Sequence, residues 1–297
     1  MAAVTEPLPF RLLVDEAMKL TRRHFRQMFV AVALPIALAQ SLVPLAQSVA
    51  FRQGLFTQAP EPSAAILGML GFMTVALLAT AVWGLGYGAL LVAATEAQTG
   101  AGVSMGRAWR TMLRPRVLGT SFLIAMSLLV GCVLCLLPGI FLALLFSLTV
   151  PVMVVEKIYG TTALARAAAI VRDNPEGQFA TSPLLRVLLI MVIGYVLSAA
   201  VGLLIQIPLI IIQQVVMFRA AAEGQIADPV ELMSKMALFQ VPASFLNALA
   251  GTAVHVYMSF ALSLFYFDLR RRQEGSDLEA AVREMEGQEP EPPAAAG

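Results

Sequence analysis

Residues 131–178 read GCVLCLLPGIFLALLFSLTVPVMVVEKIYGTTALARAAAIVRDNPEGQ. An apolar run meets Pro138-Gly139, a second apolar run closes at Pro151 and Glu156, and a stretch with Arg166 and Arg172 set among alanines follows. Two apolar runs of this length parted only by a Pro-Gly pair predict a tight transmembrane hairpin, segment three over 117–137 and segment four over 139–156. The next stretch predicts a short amphipathic helix over 161–173. It carries Leu164, Ala167, Ala168 and Val171 on one face and Thr162, Arg166 and Asp173 on the other. Asn174-Pro175-Glu176-Gly177 ends it.

The composition demands the same solvent. Of 297 residues, 59% are hydrophobic and 13% charged, against about 25% charged in a soluble globule. Mean hydropathy is +0.79. A large core cannot absorb that deficit of charge, so much of the surface faces lipid, and the expected class is an all-α integral membrane protein. A net charge of +1 supplies no global field for nucleic acid. Two cysteines cannot form a disulfide framework. The N-terminal residues lack a basic region, apolar core and cleavage site in signal-peptide order, so no cleavage is expected.

Working outward from the hairpin, the pattern of amphipathic helix followed by two spans occurs about three times. Residues 8–26 place Phe10, Leu13, Val14, Ala17, Thr21 and Phe25 on one helical face and Arg11, Asp15, Lys19, Arg22 and Arg26 on the other. That reads as a helix in the headgroup plane. Segment one follows over 27–50, with Pro35 and Pro44 inside it, and segment two over 64–94, with the small-residue run Gly84–Gly88 suited to close helix packing. Ser104 then starts a second basic amphipathic helix, with Met105, Ala108, Trp109 and Met112 opposite Arg107, Arg110 and Arg114. Segment five spans 183–216 and segment six 240–267. The mixed stretch 217–239 between them reads as a helical excursion at the surface. The expectation is one polytopic domain over 1–272, with units at about 8–98, 103–156 and 161–267. An acidic, Pro/Ala-rich tail over 273–297 is expected to be disordered at its end.

Lysine and arginine distribute unevenly about six spans. One side receives Lys19, Arg22, Arg23 and Arg26, then Arg107 to Arg116, Lys157 to Arg172, and Arg270 to Arg272. The other receives Arg52, Arg219 and Lys235. The positive-inside rule then places both termini in the cytoplasm.

Candidate residues follow from the cost of polar groups at the edge of hydrocarbon. Glu156 closes segment four with Arg166 ten residues on, a candidate pair docking the third amphipathic helix. Arg107, Arg110, Arg114 and Arg172 are candidate contacts for anionic headgroups, each worth about 1 kcal/mol beside an anionic leaflet. Gln206, Asn247 and His255 are the mid-membrane polar groups, expected to bond between helices or to line a solute path. Cys132 and Cys135 form a C-x-x-C without a basic neighbour or further metal ligand and read as two buried small residues. His24 reads as solvated. No nucleotide loop, H-E-x-x-H or carboxylate pair is present, so no cofactor, metal site or catalytic centre is expected.

Particular motifs also carry a family likeness: Leu137-Pro138-Gly139, Pro151 with Glu156, Ala163-Leu164-Ala165-Arg166, VSMGRAWRTMLRPR over 103–116, and Tyr266-Phe267-Asp268-Leu269-Arg270 ahead of Asp277-Leu278-Glu279. Together they resemble the membrane domain associated with bacterial glycerophosphoryl diester phosphodiesterases, with Ala167 where that family usually has serine. The resemblance implies a multi-span helical domain of the bacterial inner membrane. Catalysis in such proteins belongs to a separate soluble barrel, for which this chain has no sequence. The expected role is therefore a non-enzymatic scaffold or accessory for envelope lipid or another membrane protein, with a small transporter or lipid-handling carrier as the alternative.

Overall fold

The structure is a computed structural model that describes residues 9–52, 62–173, 182–222 and 229–286. Among these it is all-α: α1 (Phe10–Arg52), α2 (Pro62–Gln98), α3 (Met105–Met112), α4 (Pro115–Leu134), α5 (Leu136–Phe146), α6 (Thr149–Val155), α7 (Thr161–Arg172), α8 (Pro183–Ala222) and α9 (Pro229–Glu286). Among the described residues, six stretches are long and apolar enough to cross a membrane: α1, Ile66–Gln98 of α2, α4, α5 with α6, Pro183–Arg219 of α8, and Met233–Arg272 of α9. The protein is a multi-pass helical membrane protein.

α9 is the axis of the bundle. In its most apolar stretch 61% of residues are buried against protein, compared with 6% for α2 and 11% for α8. α1 runs antiparallel along it. Ser48 Oγ donates to the Ser234 carbonyl at 3.0 Å near one end, and the His24 ring lies 6.0 Å from Phe260 toward the other. The core gathers toward the arginine-bearing end, where Met28, Val32, Leu90, Val92, Leu148, Val152, Phe260, Phe265 and Tyr266 are buried. Leu67, Leu77, Leu137, Leu204 and Ile211 lie away from that core and are exposed. Apolar side chains left outside a core in this number have lipid as their natural solvent.

Local chemistry moves several boundaries away from the sequence expectation. The first amphipathic helix is not a separate element lying in the headgroup plane. No breaker stands between Arg26 and Gln27, so α1 is continuous over 43 residues, about 64 Å at 1.5 Å per residue. Its buried face, Leu13, Ala17 and Thr21, continues at helical spacing into Met28, Val32 and Ile36. His24 is accordingly half-buried against α9 rather than solvated.

The hairpin reverses at Cys135, whose φ of −172° and ψ of 145° break the helix. Pro138 and Gly139 lie inside α5 instead. Pro138 is its third residue, where the missing N–H would have had no partner in any case. Segment four is likewise two helices. Pro151 can donate no bond to the carbonyl four residues back, so α5 stops at Phe146 and α6 restarts with Pro151 in its first turn. Ser147 Oγ donates to the Leu144 carbonyl at 2.8 Å at the end of α5. Cys132 and Cys135 are exposed at the hairpin tip, not buried.

Of the expected excursion over 217–239, the described residues belong to the ends of α8 and α9; 223–228 lie outside the described residues. α9 continues through the acidic stretch to Glu286, and the Pro/Ala-rich end over 287–297 lies outside the described residues.

Candidate functional site

The charged end of the bundle is assembled at the exit of α6. Glu156 is the C-cap of that helix. Lys157 follows at φ 59°, in the left-handed region that costs a side-chain-bearing residue about 1–2 kcal/mol. Gly160 sits at φ 70° and ψ −147°, a conformation essentially confined to glycine. The Gly160 N–H is fixed by the Thr120 hydroxyl of α4 at 2.7 Å. This reversal lays α7 back on α6 and delivers Arg166 to the carboxylate that precedes it.

Arg166 Nε donates to Glu156 Oε2 at 3.1 Å, and the Tyr266 hydroxyl of α9 donates to Oε1 at 2.9 Å. Glu156 therefore joins α6, α7 and α9. The two bonds are unequal in weight. Arg166 is 41% exposed, which limits its ion pair to roughly 0.2–1 kcal/mol. Tyr266 is fully buried, and a hydrogen bond to a charged acceptor is worth about 1.5–3 kcal/mol. Tyr266 stands in the family-like motif, but nothing in its spacing assigns it to Glu156 across 110 residues.

Two further carboxylates tie helices here, and neither was singled out from the sequence. Asp268 of α9 is 5% exposed. Arg272 Nε donates to its Oδ2 at 3.1 Å, and Arg186 Nη1 of α8 lies 3.9 Å from the same oxygen. The available signal was an acid inside FYFDLRRR together with an arginine in the first turn of a spanning segment. Glu96 at the end of α2 lies 3.8 Å from Arg107 Nη1 of α3.

The candidate headgroup contacts divide. Arg107 and Arg114 border one cavity between α2, α3, α4 and α6. Arg110 and Arg114 are exposed and make no ion pair among the described residues. Arg172 stands elsewhere, with its guanidinium 5.8 Å from the Phe141 ring.

Of the three polar groups in segments five and six, His255 meets α2, and Asn247 lies beside α8. His255 stacks on Tyr87 of α2 with centroids 3.7 Å apart and planes 5° from parallel. Its Nδ1 lies 2.7 Å from the Gly251 carbonyl oxygen. Asn247 Oδ1 is buried without a hydrogen bond, and Gly202 of α8 lies nearby. Gln206 is half-buried on α8. None of the three lines the open groove of about 460 Å³ between α1 and α9, which is bordered by Gln40, Gln47, Gln240 and Ser244.

Among the described residues no group of three or more His, Cys, Asp or Glu side chains is placed to hold a metal ion. The chemistry in view is ion pairing between helices and a cationic surface open to anions. Comparison with protein-family models, with curated proteins and with solved structures finds no match to this chain.

Proposed function

We propose that this chain is a non-enzymatic scaffold or accessory module of the bacterial inner membrane, holding anionic lipid or a membrane partner at its arginine-bearing end. The observation that carries this reading is the division of labour among the cations. Arg166, Arg186 and Arg272 meet carboxylates inside the bundle, whereas Arg110, Arg114 and Arg116 are exposed and make no ion pair among the described residues. Unpaired arginines at the end of a membrane bundle attract an anionic leaflet, and the positive-inside rule assigns that end, with both termini, to the cytoplasm. The likeness to the membrane domain associated with glycerophosphoryl diester phosphodiesterases supports the same role, because there the membrane part is separable from the catalytic barrel. Replacing Arg107, Arg110 and Arg114 together with Gln should weaken retention of phosphatidylglycerol roughly 30-fold or more, at about 1 kcal/mol for each cation that meets a headgroup. Mass spectrometry of lipid carried through purification measures it, and unchanged lipid content would count against the reading.

The groove between α1 and α9 favours a second reading, a small transporter or lipid-handling carrier. Three glutamines and a serine border it within membrane-crossing helices, where polar groups are costly unless they meet water, solute or one another. On that reading a cysteine placed at Gln240, with Cys132 and Cys135 replaced by Ser, reacts with a membrane-impermeant maleimide in intact vesicles. A Gln240→Cys variant that labels only after detergent is added would remove the support for a path there.

A further inference from the structure

Between α2, α3, α4 and α6 lies a cavity of about 170 Å³, bordered by Arg107, Arg114 and Lys157 with Thr111, Tyr159 and one acidic residue, Glu96. The remaining walls are valines and a methionine. It is smaller than the roughly 300 Å³ of the smallest drug-sized pockets, so it suits one compact group. Three cations against one carboxylate leave a formal charge of +2. Apolar walls strengthen whatever that charge attracts.

The cations are available. Arg114 and Lys157 make no ion pair among the described residues. Arg107 meets Glu96 only at 3.8 Å, too far for a hydrogen bond, and Glu96 Oε2 is buried without one. Glu96 thus positions the guanidinium loosely and leaves its donors uncommitted. Arg114 is also the N-cap of α4, with Pro115 after it and no acidic residue in the first turn. The positive end of that helix dipole therefore lies at the rim.

The backbone adds an independent observation. Lys157 occupies the left-handed region at φ 59°, a turn that glycine would take without strain. What distinguishes lysine from glycine at that turn is its side chain, and Lys157 borders the cavity.

We propose that this cavity binds a single phosphate group, supplied by the headgroup of an anionic phospholipid. The proposal rests on the lipid-holding role above but is narrower, because it predicts one site per chain rather than a diffuse cationic surface.

The test uses the full chain in dodecyl maltoside, with phosphatidylglycerol as the probe and native mass spectrometry as the readout. The wild type should retain one phosphatidylglycerol. Lys157→Gly relieves the strained turn, so the fold should be kept, while retention falls about fivefold, the share of one cation. Arg114→Gln should fall likewise, and Arg110→Gln, outside the cavity, should not. Unchanged retention in both Lys157→Gly and Arg114→Gln overturns the site. Equal loss in Arg110→Gln and Lys157→Gly also overturns it while leaving the broader lipid-holding role intact. A parallel arm adds millimolar inorganic phosphate to delipidated protein. A thermal shift in wild type that is absent in Lys157→Gly, without lipid retention, keeps the phosphate site and assigns it to a soluble phosphate ester. Neither lipid retention nor a phosphate shift in the wild type overturns it.

Discussion

Asp268→Ala should cost the bundle about 3–5 kcal/mol, the usual consequence of removing one member of a buried charged group. Asp268 is 5% exposed, and the side chains of Arg186 and Arg272 that share its Oδ2 are 16% and 19% exposed. The pair joins α8 to α9 at the level where the two helices leave the apolar core. Alanine there would leave two guanidinium groups at the edge of hydrocarbon without that acceptor. Asp268→Asn keeps an acceptor but removes the charge, so a smaller loss is expected. Equilibrium unfolding by titration with SDS measures both. A double-mutant cycle with Arg186→Gln should show coupling above about 0.5 kcal/mol. A cost below roughly 1 kcal/mol for Asp268→Ala, the range of an exposed pair, would mean that water already solvates this group.

The Asp268 cluster also marks the limit of what was legible in the sequence. Hydropathy and length suffice to find six spans, because a stretch of about 20 apolar residues has few fates other than crossing a membrane. The short amphipathic helices α3 and α7 were legible for a related reason. Ala108, Met112, Ala163, Leu164 and Ala167 recur at helical spacing, and all are buried. Glu156 with Arg166 could be anticipated because the two are ten residues apart and the intervening turn must bring α7 back. Tyr266 could not be, because a partner 110 residues away is chosen by tertiary packing and leaves no local trace.

The misplaced boundaries at the hairpin have one shared origin. At the hairpin, Pro138-Gly139 reads as the turn and Pro151 as a helix end, yet the effect of proline depends on its position within the helix. In α1, Pro35 and Pro44 sit inside an unbroken helix. In α5 and α6, Pro138 and Pro151 each stand third from the helix start, where proline is tolerated and the break falls ahead of it. The headgroup-plane reading of residues 8–26 failed differently. An amphipathic face is complementary to an interface and equally to another helix, and α9 extends far enough to cover it.

Gly139→Val should separate the α4–α5 hairpin. A Cβ on Gly139 would lie 2.5 Å from Cys132 Sγ and 3.0 Å from the Cys132 backbone nitrogen. One on Gly131 would lie 3.0 Å from the Gly139 Cα. The two helices thus approach through a pair of hydrogens, as small residues permit in membrane bundles. Cys132 is exposed and its thiol can swing away, but its backbone nitrogen cannot, so a branched side chain must push the helices apart. Overpacking of this kind costs about 1–3 kcal/mol, occasionally more, and valine should reach the top of that range. Alanine should cost less, because replacing a helical glycine returns up to about 1 kcal/mol of helix propensity. Gly119 in the same α4 supplies the sign control, since a Cβ there meets nothing within 4 Å. Gly119→Ala should be neutral or stabilising by up to about 1 kcal/mol, while Gly139→Ala destabilises, both read by SDS-titrated unfolding. If the two alanine variants shift stability in the same direction and by the same amount, the close approach of Gly131 and Gly139 does not hold the hairpin, and its reversal at Cys135 must be stabilised by the lipid-facing side chains instead.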